Sequence, residues 1–394
     1  MQTFHQSPVD PEFVQDPYPF YERCRTAGPL FYWADYNLVC ATSYEAVDGL
    51  LRDRRFGREQ PAELAAAVPA HIKPFMDFES HSMLEREPPV HTRLRGLVVR
   101  AFTSRRIAAL GPEIVTLSHQ LIDRFPDQPF DLLPAFGEKI PVIVIARLLG
   151  VPEEMAPQLL RWSHDMVAMY QANRSRAIED AAVRATNDFC DFMRDFVHAR
   201  RSAPKDDLIT HLIAAEEAGE KLSTDELIAT AILLLNAGHE ATVHAIGNGV
   251  QAMLTHKIDA TTVMAGEGIT TLVEEIARYD PPLHMFTRYA YENLDLYGHT
   301  FKRGDQVGLL LAAANRDPAR YEKAQTFDPV RAIKPNTSFG AGLHFCIGAP
   351  LARLELATAL PILFDRCPSL RLTEPARYAD RYHFHGLERL MVTI

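Results

Sequence analysis

The feature that most limits what this chain can fold into is Ser223–Leu254, which is apolar on almost every side. It opens with Ser223-Thr-Asp-Glu226, a capping box: the serine side chain holds a free N–H and the glutamate reaches back to the serine. Read as a helix at about 1.5 Å per residue, it runs about 45–50 Å. A helix that is apolar all round must be buried, so the remaining chain has to wrap it. A bilayer is not its place, because its apolar run Ala229–Leu235 falls well short of the ~18 residues a span needs.

The wrapping reads as mostly helix. Pro19–Thr26, Tyr44–Arg52, Ile269–Tyr279 and Ala349–Phe364 carry helical patterns, and such patterns dominate from His91 to Tyr279. Strands are expected at Leu30–Trp33 and Leu38–Ala41, joined at Asp35-Tyr36-Asn37. Further strands are expected at Phe286–Tyr291, in a hairpin over Leu294–Val307, and at His383–Ile394. Residues 57–90 hold six prolines or glycines and no steady period, so they read as a long irregular loop, as do most of 324–348. The expectation is one domain over residues 1–394, mainly α with small peripheral β-sheets (α+β).

Composition removes several function classes. The 394 residues are 47% hydrophobic, enough for a large core. A net charge of −10 has the wrong sign for a general nucleic-acid binder. Five scattered cysteines (24, 40, 190, 346, 367) make no disulfide framework, which points to a reducing compartment. The polar, proline-broken N-terminus shows no leader, so the expectation is a cytoplasmic protein without a membrane segment.

Chemistry concentrates in Phe339-Gly340-Ala-Gly342-Leu-His344-Phe-Cys346-Ile-Gly348. A cysteine between glycines, just before a helix, sits where N–H groups and the helix dipole favour a thiolate. Read bare, it fits either a nucleophile or a thiolate metal ligand. The whole string resembles the heme-binding loop of cytochromes P450. The resemblance extends along nearly the whole chain: Glu275-Ile-Ala-Arg278 is similar to the family's E-x-x-R, Phe327-Asp-Pro-Val-Arg331 to the segment bringing a second arginine to the same carboxylate, and His91-Thr-Arg-Leu-Arg95 to H-x-x-x-R.

That resemblance implies a P450-like fold and a heme-thiolate monooxygenase: an oxidoreductase inserting one oxygen atom from O2 into a small organic substrate. Cys346 would be the iron ligand, with Gly348 beside it. His91, Arg95, Arg288 and His344 would meet the propionates of heme b, and Glu275, Arg278 and Arg331 would form a structural triad. The other four cysteines read as structural. Ala237-Gly238-His239-Glu240-Ala241-Thr242 is similar to the family's A-G-x-[D/E]-T-[T/S], the oxygen-activating kink, where Ala237 and Gly238 give room over the iron. The chain departs from this pattern at Ala241, where the family carries threonine. Thr242 follows one place later, about 100° round the helix. Glu240, Ala241 and Thr242 are therefore the catalytic candidates, with either the substrate or ordered water completing proton delivery.

The resemblance also places a substrate pocket at Met83, Leu84, the Met166–Tyr170 region, Leu233, Asn236, Leu283, His284, His383 and Phe384. No reductase is fused to the chain. Electrons would come from NAD(P)H through a reductase and a ferredoxin or flavodoxin, which would dock near Arg100, Arg105, Arg106 and Arg353. A monomer is expected, with no nucleic-acid or membrane partner. Two alternatives remain at this stage: a P450-like isomerase, dehydratase or peroxide user, and a non-catalytic heme-binding sensor.

Overall fold

A computed structural model describes residues 1–171, 174–217, 222–382 and 384–394. The helices that frame it are Val90–Ala101 (α1), Gly111–Ile122 (α2), Lys139–Leu149 (α3), Ala156–Val167 (α4), Arg176–Ser202 (α5), Thr224–Thr255 (α6), Gly268–Tyr279 (α7) and Ala349–Arg366 (α8). No helix among the described residues is long and apolar enough to cross a membrane.

Helix α6 is the expected buried rod. Ser223 Oγ accepts from the Glu226 N–H at 3.1 Å, and Glu226 Oε2 accepts from the Ser223 N–H at 2.9 Å, so both halves of the capping box form. Helices α3, α4, α5, α7 and α8 all pack against α6. Close approach is possible because α6 lacks side chains where its neighbours press. A Cβ on Gly238 would stand 3.0 Å from Ile145 of α3, and one on Gly249 would stand 2.8 Å from Ile276 of α7. Gly238 thus accommodates a neighbouring helix. The helix also runs without a break through Ala237–Thr242, so the expected kink is not a break in its hydrogen bonding.

The main sheet is peripheral and mixed. Its strands are Thr3–Phe4 (β1), Leu30–Trp33 (β2), Leu38–Ala41 (β3), Phe56–Gly57 (β4), Met285–Ala290 (β5) and Gln306–Leu310 (β6), in the order β1-β2-β3-β6-β5-β4. The β2–β3 hairpin pairs Leu30 with Ala41, and β5 pairs with β6 so that Arg288 faces Val307 across the ladder. This register fixes Arg288 as a buried member of an otherwise apolar-rich strand.

Two expectations change. Residues 57–90 contain a helix, Lys73–Glu79, that buries Phe75 and Phe78; seven residues are too few to show a period. The C-terminal strand is two short strands, Leu387–Arg389 and Met391–Thr393, and His383 lies outside the described residues. The turn at Gly386 brings a Cβ position within 1.8 Å of the His244 ring, so only glycine fits there.

Candidate functional site

The cysteine loop is built by glycine and tied down from below. Gly340 and Gly342 both have φ of +66°, and a Cβ on Gly342 would stand 2.6 Å from the Leu51 carbonyl oxygen. The Cys346 N–H donates to the Phe339 carbonyl at 2.9 Å, closing the loop. Arg95 Nη2 donates to the Phe345 carbonyl at 2.7 Å, linking α1 to the residue before the cysteine.

Helix α7 anchors this loop from the other side. Glu275 accepts from Arg278 twice at 2.7 Å, from Arg331 Nε at 3.1 Å and from the Asp328 N–H at 2.8 Å. Glu275 and Arg278 are both buried at 2% exposure, so each needs the other: an unpaired buried charge would cost several kcal/mol. Next to it, Glu274 pairs with Arg353, whose guanidinium lies over the Phe339 ring at 4.5 Å. Arg353 is thereby a brace for the loop and not the free docking cation expected from sequence. Arg106 is likewise engaged, with Asp206 at 3.0 Å, while Arg100 and Arg105 are exposed.

Cys346 is accessible, yet enough protein surrounds its sulfur for burial to push the thiol up. The Gly348 and Ala349 amides at the start of α8 oppose that, as do Arg95 and Arg353. An electropositive partner would complete the conversion to thiolate.

Cations converge beside the loop. Arg288 is 2% exposed and its pKa is lowered to about 10, by burial first and then by Arg58. Among the described residues it donates a hydrogen bond to the carbonyl of its neighbour Thr287 at 2.8 Å, and neither it nor Arg95 has an ion pair there. His91 stacks on His344, ring centroids 4.3 Å apart, and its buried Nδ1 has no hydrogen-bond partner. Burial, His344 and Arg95 lower its pKa to about 4. A buried guanidinium without a carboxylate and an orphaned ring nitrogen fit a dianionic ligand such as heme. Sequence reading missed two acids here. Glu87 bonds His344 Nε2 at 2.8 Å, and Glu85 pairs with Arg58. Glu87 stands just ahead of Pro88-Pro89 at the start of α1, where an acid complements the helix dipole; that was the available signal.

On α6 an accessible strip interrupts the buried surface: Leu233, Asn236 and Ala241 are half-buried and Ala237 is exposed, in the middle of an otherwise covered helix. Asn236 contacts Met166 at 3.8 Å, and Leu283 bridges to Phe384, so these expected pocket residues meet in pairs. Met83 is buried in the helical core, and Leu84 is half-buried. His284 is elsewhere. It is fully buried, with Nδ1 2.9 Å from Tyr21 Oη and its ring stacked 4.3 Å from His385, so its expected pocket role is replaced by a structural one.

Glu240 is buried among three imidazoles: His164 at 3.1 Å, His239 at 3.5 Å and His244 at 4.0 Å. Burial pushes its carboxyl up, but the rings outweigh that and hold it at about 2. Thr242 turns its hydroxyl back onto its own helix, 3.4 Å from the Gly238 carbonyl. It does not substitute for a hydroxyl at position 241.

Comparison with known proteins agrees with this geometry. The family model for "Cytochrome P450" matches residues 269–373. The polyketide biosynthesis cytochrome P450 PksS of Bacillus subtilis is 35% identical, covering 99% of this chain and 98% of its own length. The chain belongs to the cytochrome P450 family. The vitamin D(3) 25-hydroxylase of Pseudonocardia autotrophica is 36% identical over 97% of this chain and 94% of that protein. A solved structure of P450BioI bound to a fatty-acyl-ligated acyl carrier protein superposes with a TM-score of 0.91 at 34% identity, covering 97% of this chain and 99% of that one. The fold is therefore the P450 fold, mainly α with small sheets, and the chain is a heme-thiolate monooxygenase, a class that works with heme, O2 and electrons from a redox partner.

Proposed function

We propose that this P450 binds heme b through Cys346 and oxidises a small organic substrate lying along the accessible strip of α6. The observation that carries this reading is the accessible Cys346 beside a buried Arg288 that has no ion pair among the described residues. Arg288, Arg95, His91 and His344 hold the two propionates, and the Gly348 and Ala349 amides steady the thiolate. When bound, the heme would supply O2 activation, with the Cys346 sulfur as the ligand to its iron. The protein's own part is to bind, orient and move protons. Leu233, Leu283 and Phe384 exclude water from the substrate. Glu240, held ionised, anchors and passes protons rather than storing one.

The substrate supplies what Ala241 lacks. Asn236 lies one turn before Glu240, and its buried Oδ1 has no hydrogen-bond partner. A donor on the substrate, such as a hydroxyl near the reacting carbon, satisfies that oxygen and completes the proton path. Electrons reach the site from NAD(P)H through a reductase and a ferredoxin or flavodoxin, which docks at Arg100 and Arg105. Relatives that match from end to end support one unit over residues 1–394.

The test is the reduced carbon monoxide spectrum. Wild type and Cys190→Ala show the red-shifted band from which the family takes its name, and Cys346→Ala loses it. Retention of the band in Cys346→Ala would overturn the ligand assignment.

A further inference from the structure

Away from the cysteine loop, a second group of side chains has ligand chemistry. His164 of α4 and His239 and Glu240 of α6 each present one donor atom, all within 4.8 Å of one another. His164 Nε2 lies 3.1 Å from Glu240 Oε1, and His239 Nε2 lies 3.5 Å from the same oxygen. Two ligands on a tetrahedral zinc stand about 3.3 Å apart when each bond is about 2.0–2.1 Å. The protein already holds both pairs near that spacing.

Hydrogen bonding shows that the protein alone leaves this group unfinished. His239 Nδ1 sits 2.7 Å from the Leu235 carbonyl one turn back. A carbonyl only accepts, so Nδ1 carries a proton, and Nε2 is the ring atom turned toward Glu240. That nitrogen is buried, on a residue 1% exposed, and has no hydrogen-bond partner; Glu240 Oε1, also buried, has none either. Two buried polar atoms thus face each other without a hydrogen bond, an arrangement that a cation relieves. A carbonyl holding the far ring nitrogen is also the usual support of a ligating histidine.

In the other histidine–carboxylate group, Asp280, His284 and His385, the carboxylate already accepts from Tyr18 and Tyr378 at 2.6 Å each, and all three residues are buried, so an ion has no entrance.

We propose that His164, His239 and Glu240 form a second metal site, one that takes a divalent transition-metal ion, zinc above all, with water in the fourth position. Two imidazoles and one carboxylate suit zinc, whereas magnesium and calcium want oxygen ligands throughout. The His164 side chain is 51% exposed, so the site has an entrance, and its ring swings in to close the coordination. His244 Nε2 stands 4.0 Å from the other carboxylate oxygen, outside the bonding shell. An ion here clips α4 to α6. It also engages the Glu240 carboxylate, linking metal availability to proton handling in the oxidation site. Met166, two residues beyond His164, touches Asn236, so the clip lies against the pocket wall.

The experiment uses tag-free holoenzyme, freed of loose metal and titrated with Zn²⁺ at neutral pH by calorimetry, with bound zinc counted after equilibrium dialysis. Wild type should bind one zinc per chain at micromolar zinc and show no such binding of Mg²⁺. His164→Ala and His239→Gln should each weaken binding by ~10–100-fold while keeping the carbon monoxide band that reports an intact heme site. His164 is half-exposed, so its variant keeps the test valid even where His239→Gln fails to fold. No binding by wild type at micromolar zinc, or undiminished binding by His164→Ala, would overturn the proposal.

Discussion

Ala241 and Thr242 differ by one position, and on a helix one position turns a side chain by about 100°. The structure gives that rotation a consequence: the Thr242 hydroxyl meets the Gly238 carbonyl of its own helix, and position 241 offers only a methyl group. Positioned proton transfer is worth about 10²–10⁴-fold in rate, so another donor has to stand there. With Asn236 Oδ1 buried and unpartnered one turn before Glu240, a hydroxylated substrate is the donor that this pocket suits. A substrate lacking that hydroxyl should bind but divert reducing equivalents to hydrogen peroxide, and Ala241→Thr should restore its coupling more than that of the hydroxylated substrate. The measurement is product formed per NAD(P)H consumed for both compounds in both proteins. Equal coupling of both compounds by wild type would replace substrate assistance with a water chain anchored at Glu240. The missing threonine was legible in the sequence because the motif around it is short and contiguous. The approach of His164 to Glu240 was not, since it is brought there from another helix.

At the scale of elements, α6 was legible for the same physical reason that it is central. Its all-round apolarity and capping box are local signals, and both survive into the structure. The strands of the β2–β3 hairpin were equally plain, because short apolar runs and the turn between them are also local. What the sequence did not disclose is how α6 meets its neighbours. Gly238 was read through its motif, yet its contact is with Ile145, a choice made by packing between distant segments. Gly249 makes the sharper case, with a Cβ position only 2.8 Å from Ile276 Cδ1 and 3.1 Å from its Cγ2. Ile276 is buried on α7, directly after Glu275 of the triad that holds the cysteine loop. Gly249→Ala gains about 1 kcal/mol in helix propensity but overpacks by about 1–3 kcal/mol. The expected net result is a loss of up to about 2 kcal/mol, read as a lower Tm, with part of it recovered when Ile276→Val is added. A raised Tm in Gly249→Ala would mean that propensity outweighs close packing here.

Across the whole molecule, the N-terminal helix Tyr18–Thr26, the region after α7 and the C-terminal segment meet in one aromatic and acidic network. Asp280, at the end of α7, gathers Tyr18, Tyr378, His284 and His385, while Tyr21 bonds both His284 and Tyr382. Arg316 lies over the Tyr18 and Tyr279 rings at 3.3 and 3.8 Å. These contacts join residues up to 361 positions apart, and Tyr21 and His284 are 263 apart, which is why sequence reading put His284 in the pocket. The network makes stability depend on pH in a defined direction. His284 is fully buried, and burial, followed by repulsion from His385, lowers its pKa from 6.5 to about 4. Between those two values the unfolded chain takes up a proton that the folded chain refuses, so the folded state weakens as pH falls from about 6.5 to 4. A shift of that size corresponds to at most about 3 kcal/mol for this ring. The Asp280 carboxyl is held well below its usual range despite burial, by His385 and His284, and its contribution is lost only at lower pH, below about 3.8. The check is Tm measured in steps from neutral pH down to about pH 5, within the histidine window and above the carboxylate one. Wild type should fall steadily over that range. His284→Gln, which carries no titrating ring, should start lower because the Tyr21 and Asp280 contacts are weakened, yet fall less steeply. Parallel curves for the two proteins would place the acid sensitivity in other groups.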